Sequence, residues 1–295
     1  MHTVIDFIHT SRDRYISALT EYLAIPSISA LPDHVDDVAR CARWTADELG
    51  RVGLENVRLI ETGGNPVVYA DWLHAPGAPT ILFYGHYDVQ PVDPLDQWTS
   101  PPFEATVRAG EIYARGAVDD KGQIFMHFKA VEACLKQTGR LPVNMKLILE
   151  GEEEIGSTHL DGFVRDHQSE LAANVVIISD SPMFDRGVPS LCYGLRGLSY
   201  FQIDLRGTTS DLHSGSFGGA VANPGFVLAQ VLAQMKDRAG RVKIPGFYDD
   251  VRPLLDEERE AFARLPFNEQ QYRTDLGAPR LFGERDYTTL ERVWA

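Results

Sequence analysis

The chain has 295 residues, 44% hydrophobic and 24% charged, enough to bury a sizeable core and to divide into about two domains. A formal net charge of -14 disfavours nucleic acid and anionic membrane surfaces as partners. Cys41, Cys134 and Cys192 are widely spaced and form no Cys-x-x-Cys pair, which argues against a disulfide framework or a thiolate zinc site and for a reducing, cytoplasmic compartment.

At the amino terminus Asp6, Arg12, Asp13 and Arg14 interrupt the apolar residues, so the segment reads neither as a signal-peptide core nor as a membrane span. Val4, Phe7, Ile8, Tyr15, Leu19, Tyr22 and Leu23 recur at helical spacing and predict one packing helix. A second is predicted over 35–49, stopped by Gly50 and Gly53. Strands are predicted over 57–60, 67–72 and 80–84, the last running into Gly85-His86-Tyr87-Asp88. After a proline-rich connection over 91–102, residues 103–107 and 111–113 form a candidate hairpin around Ala109-Gly110. Residues 116–122 then open a helix that runs to about Lys136, which puts Asp119 and Asp120 on the turn before it.

A strand over 143–149 delivers Glu150-Gly151-Glu152-Glu153-Glu154-Ile155-Gly156-Ser157, and another over 175–179 ends at Asp180. Gly187, Pro189, Gly194 and Gly197 then mark a hinge, which divides the chain into domains 1–195 and 196–295. The second domain is expected to hold a strand over 198–205, a Gly- and Ser-rich loop around Asp211-Leu212-His213-Ser214-Gly215, and helices over 224–235 and 256–264. Residues 288–295 stop in mid-pattern without a cap, so the chain is expected to end early.

Three apolar strands thus finish at His86, at the acidic run 150–154 and at Asp180, where open α/β sheets place their ligand sites. Carboxylates converging about 4 Å apart, at an effective dielectric near 20, repel by about 4 kcal/mol per pair. They must fan into water, protonate or hold a cation. Imidazole with carboxylates and no thiolate suits zinc, manganese or cobalt, and bridging carboxylates hold two such ions about 3.5 to 4 Å apart. Asp88, two residues from His86, is placed to orient the ring rather than to bind metal.

Each feature alone has a plainer reading. His86 is then a hydrogen-bonded strand-end histidine, the acidic run a solvated first helical turn, and Asp119-Asp120 an N-cap pair. Their conjunction on one rim favours a cation site. His-Glu-x-x-His, P-loop, Gly-x-Ser-x-Gly and dinucleotide fingerprints are missing. Ser210, Ser214 and Ser216 near His213 fit a Gly-flanked polar loop better than a serine nucleophile.

Taken in order, Tyr84-Gly85-His86-Tyr87-Asp88-Val89-Gln90-Pro91, Gly116-Ala117-Val118-Asp119-Asp120-Lys121-Gly122, the run 150–157 and Ile178-Ser179-Asp180 resemble the dinuclear metallopeptidases that include carnosine dipeptidases, aminoacylases and succinyl-diaminopimelate desuccinylase. Val89-Gln90-Pro91 and the Asp211 to Gly215 loop look most like the carnosinase-type branch. The resemblance implies an α/β catalytic domain with a central mixed sheet flanked by helices, followed by the first part of an α+β lid and dimerisation domain. It implies two divalent metal ions, zinc first, with manganese and cobalt as alternatives. Asp119 would bridge them, with His86 and Asp180 completing one site and Glu154 belonging to the other.

By the same resemblance Glu153 is the general base, Asp88 orients His86, the Asp119-Asp120 peptide is cis, and His213 reaches the substrate across a homodimer. Family members continue further and add a histidine ligand to the Glu154 site. The expected function is metal-dependent hydrolysis of a dipeptide amide. The alternatives are a catalytically silent metal-binding chain acting through dimerisation, and an amidohydrolase of N-acyl amino acids.

Overall fold

The computed structural model describes residues 2–294. Its chain divides into two compact units, Met1–Ser190 and Leu191–Ala295; the sequence reading sets the division at 195/196.

The first unit opens with α1 (His2–Thr10) and α2 (Arg12–Leu23). One helix was expected here, but the path bends at Ser11, whose ψ of 2° leaves the helical range. In α3 (Val35–Val52) the buried positions Val38, Cys41, Ala42, Thr45, Leu49 and Val52 repeat every three or four residues. The helix runs through Gly50, where it was expected to stop. A solvent-facing glycine costs a helix only about 1 kcal/mol, and the chain leaves the helix at Gly53, whose φ of 103° suits a residue without a Cβ.

The strands are β1 (Glu55–Ile60), β2 (Val67–Trp72), β3 (Thr80–His86), a small hairpin of β4 (Thr106–Arg108) and β5 (Glu111–Tyr113), β6 (Asn144–Glu150) and β7 (Val175–Ile178). Helix α4 (Lys121–Thr138) links the hairpin to β6, and α5 (Leu160–Asp166) and α6 (Gln168–Leu171) link β6 to β7. The main sheet has the order β1-β2-β6-β3-β7. It is mixed: β1 and β6 run antiparallel to β2, whereas β6 and β7 run parallel to β3.

Strand residues alternate between the two faces. Val68, Ala70, Trp72, Phe83, Met145, Leu147 and Leu149 join the larger core under α1 to α4, while Val67, Tyr69, Leu82 and Ile148 face Phe163 of α5 and Leu171 of α6. Truncating a fully buried leucine such as Leu147 to alanine costs about 2 to 5 kcal/mol. That two-sided packing sets the register of the parallel strands, and register sets the site. His86 is paired with Glu150, and Tyr84 with Ile178, so all three carboxyl-terminal strand ends emerge on one rim.

The second unit contains α7 (Ser214–Phe217), α8 (Pro224–Met235), α9 (Asp256–Ala263), α10 (Glu269–Asp275) and α11 (Thr289–Trp294). The strand expected over 198–205 does not form, and Leu198, Tyr200 and Phe201 are 87%, 91% and 80% exposed. A strand is completed by hydrogen bonds to a neighbour, and no strand among the described residues of this unit supplies them. Among the described residues, no helix is long and apolar enough to cross a membrane.

Candidate metal centre

His86 ends β3 with its side chain fully buried, and its ring lies among carboxylates. Nδ1 faces the carbonyl oxygen of Asp88 at 3.1 Å and Asp88 Oδ1 at 3.2 Å. Nε2 points the other way, 3.0 Å from Asp119 Oδ1, 3.7 Å from Asp180 Oδ2 and 3.9 Å from Glu153 Oε2. A cation at Nε2 would leave the ring's proton on Nδ1, donated to the Asp88 carbonyl.

Close packing behind the ring fixes Asp120. Its Oδ2 accepts the His86 backbone N–H at 3.1 Å, although the residue occupies the N-cap position of α4. A Cβ on Gly85 would meet Ile124 Cγ2 and stand 2.6 Å from Asp120 Oδ2, so glycine is what lets the β3 end and the α4 start meet. The Asp119–Asp120 peptide is cis. Asp119 then projects into the mouth with its side chain 60% exposed.

The acidic run splits by role. Glu150 accepts the Tyr84 hydroxyl at 2.6 Å and the Ser157 hydroxyl at 2.8 Å. Glu152 takes the Asn65 N–H at 3.0 Å and lies 2.7 Å from His159 Nδ1. Both are satisfied away from the mouth. Glu153 and Glu154 lie on a 3₁₀ turn (Glu153–Ile155), where Glu153 faces His86 and Glu154 Oε2 accepts the Gln90 side-chain N–H at 2.7 Å.

The electrostatics follow from crowding. Burial opposes a charged His86 ring, but the adjacent carboxylate of Asp88, with Asp120 and Glu153, overcomes it and holds its pKa up at about 10. Burial, opposed by His86, pushes Asp120 up to about 7. Burial first, and neighbouring carboxylates after it, also raise Glu153, Glu154 and Asp180 above their ordinary values. Among the described residues, the ion pairs of these groups are with His86 and not with lysine or arginine.

One donor atom each from His86, Asp119 and Asp180 lies within 4.8 Å of the others. Two donors about 2.1 Å from one ion at a tetrahedral angle stand about 3.4 Å apart, a spacing that the 3.0 and 3.7 Å separations from Nε2 bracket. The donor set therefore fits a divalent cation such as zinc. Glu154 is not in this group, because its carboxylate is turned to Gln90. His213 belongs to the second unit, where its exposed ring accepts the Gly215 N–H at 3.1 Å and caps α7. Sequence spacing gave no sign of Gln90 as the holder of Glu154, or of Ser29, whose hydroxyl donates to Asp88 Oδ2 at 2.6 Å.

Comparison with known proteins identifies a family. The model of peptidase family M20/M25/M40 matches residues 82–273. The human Beta-Ala-His dipeptidase is 31% identical, covering 100% of this chain and 61% of that protein. The Cys-Gly metallodipeptidase of Candida albicans is 33% identical, covering 100% of this chain and 64% of that protein. Among solved structures, an M20 family metallo-carboxypeptidase from Sulfolobus solfataricus superposes with a TM-score of 0.77 at 36% identity, covering 95% of this chain and 62% of the other. The chain thus spans about three fifths of the length of the curated relatives it matches.

Proposed function

The chain belongs to peptidase family M20/M25/M40, and on that footing we propose that it is the metal-binding part of a dipeptidase that hydrolyses the amide bond of small dipeptides. The observation that carries the reading is the convergence of His86, Asp119 and Asp180 within 4.8 Å on a rim of carboxylates that, among the described residues, pair with no lysine or arginine. The named activities of the relatives, on Beta-Ala-His and Cys-Gly, support the substrate class.

His86 Nε2, Asp119 and Asp180 hold one cation, which we take to be zinc, with manganese and cobalt as the alternatives. Asp119 and Glu154 would hold a second ion; the support is that Glu154 shares the turn of Glu153 and feels the charge of Asp119. Metal at this rim supplies Lewis acidity and a water acidic enough to lose its proton near neutral pH. Glu153 stands beside the ligands without being one of the three, and its carboxylate would serve as the general base, holding a water proton and passing it to the leaving amine. Its pKa, raised by burial and by Glu154 and Asp180, suits both transfers. Asp88 keeps the ring of His86 turned, the second unit forms a homodimer, and His213 contacts the substrate bound by the partner subunit. The compartment is cytoplasmic.

The test is the zinc content of the purified protein together with hydrolysis of Cys-Gly and Beta-Ala-His, set against an N-acetyl amino acid. Turnover of the dipeptides with bound zinc is expected. Bound zinc without turnover of any substrate would favour the silent, dimerising chain, and turnover of the N-acyl compound alone would favour the amidohydrolase.

A further inference from the structure

We infer that Ser29 is a positioning residue for the metal-binding histidine, acting through Asp88; the inference rests on the metal reading of His86 above. The carboxylate of Asp88 is fully buried. Its Oδ2 accepts two hydrogen bonds, from Ser29 Oγ at 2.6 Å and from the backbone N–H of Glu154 at 3.2 Å. Its Oδ1 accepts none and stands 3.2 Å from His86 Nδ1. The terminal torsion of an aspartate is soft, so the two donors on Oδ2 determine where Oδ1 points. Of these the Ser29 hydroxyl is the shorter by far.

Ser29 is itself held in place. Ser27 Oγ donates to the Tyr87 carbonyl at 2.7 Å, Val89 N donates to the Ser27 carbonyl at 2.9 Å, and Ile28 bridges Val89 in parallel. The root of the segment is pinned by the buried Lys121 ammonium, which donates to the Ile25 carbonyl at 2.7 Å. Segment 27–29 therefore lies against 87–89 as a short seam beside the end of β3. A seam that only closed the core has no use for a hydroxyl aimed at a buried carboxylate. Through Asp88 Oδ2 the hydroxyl also meets the turn that carries Glu153 and Glu154, so one bond joins the imidazole to the acidic turn.

Partners that orient a metal-binding histidine are worth about 10- to 100-fold in metal affinity. The isosteric pair Ser29→Thr and Ser29→Val separates the hydroxyl from the space it occupies, since the two variants share a shape and only one keeps the donor. Zinc affinity of the 295-residue chain is measured by chelator competition without substrate, beside thermal unfolding of the metal-free proteins. The expected result is an affinity for Ser29→Thr within about threefold of the parent, and a 10- to 100-fold loss for Ser29→Val, with both metal-free variants still unfolding cooperatively. Equal affinities in the two variants would overturn the inference, whether both match the parent or both fall. A parent chain that binds no zinc would instead sink the metal reading itself.

Discussion

Behind the sheet, where α3 meets α4, Glu48, Lys129 and Glu132 are buried, as His86 and Asp88 are on the rim, yet the two groups behave oppositely. In the helical layer Glu48, Lys129 and Glu132 each have a partner of opposite sign. Lys129 bonds both Glu48 and Glu132, Arg51 bonds Glu48, and Arg14 lies 2.7 Å from Glu132. Burial works against the Glu132 carboxylate, but Arg14 and Lys129 prevail and hold its pKa below the ordinary value. On the rim one imidazole faces Asp88, Asp119, Asp180 and Glu153, and the carboxyl pKa values of Glu153 and Asp180 go up. Burial is common to both groups; balance is not. A balanced group is structure, and an unbalanced one asks for a cation.

The comparison can be broken at either end. The largest effect is expected from Glu153→Ala, which removes the proposed proton carrier but none of the three clustered donors. Turnover of Cys-Gly should fall by at least about 10²- to 10⁴-fold, with zinc content unchanged by elemental analysis; near-parental turnover would take Glu153 out of the chemistry. Next, Lys129→Met leaves Glu48 and Glu132 buried with less compensation and should destabilise the fold by about 3 kcal/mol in denaturant unfolding. Asp180→Asn relieves the rim and should stabilise the metal-free protein by up to about 1 kcal/mol. Loss of stability in both variants would erase the distinction between the groups.

The most diagnostic effect is in pH. The raised pKa of Asp120, about 7, means that the folded state binds a proton the unfolded chain has already released, so stability falls as pH rises from about 4 to 7. His86, with a folded pKa of about 10, stabilises fully below the unfolded value of about 6.5, and that contribution is lost as pH rises through 10. Glu132 has the opposite sign: its contribution is present above about 4.3 and lost as pH falls through its lower folded value. Thermal midpoints of metal-free protein should therefore decline toward alkaline pH, and zinc should suppress that decline. An alkaline decline of the same size with and without zinc would place its origin away from the rim.

The rim was legible in the sequence because three apolar runs of strand length each end on a metal-binding residue type, and parallel pairing turns strand ends into neighbours. What pattern did not carry was the direction of side chains. Four glutamates within five residues look alike, yet Tyr84 and Ser157 take Glu150, Asn65 and His159 take Glu152, and Gln90 takes Glu154. Ser29 lies 59 positions from Asp88, and nothing in the spacing of Pro26-Ser27-Ile28-Ser29 announces it. The run 198–205 has strand composition, but a strand is made by its neighbour, and periodicity cannot report whether one is there.

The cation demanded by the rim is best sought directly, by anomalous diffraction from zinc-soaked crystals of the chain. The account predicts a peak about 2.0 to 2.2 Å from His86 Nε2 and from carboxylate oxygens of Asp119 and Asp180. Full-occupancy zinc bound elsewhere, with His86 still hydrogen-bonded to Asp119, would contradict it.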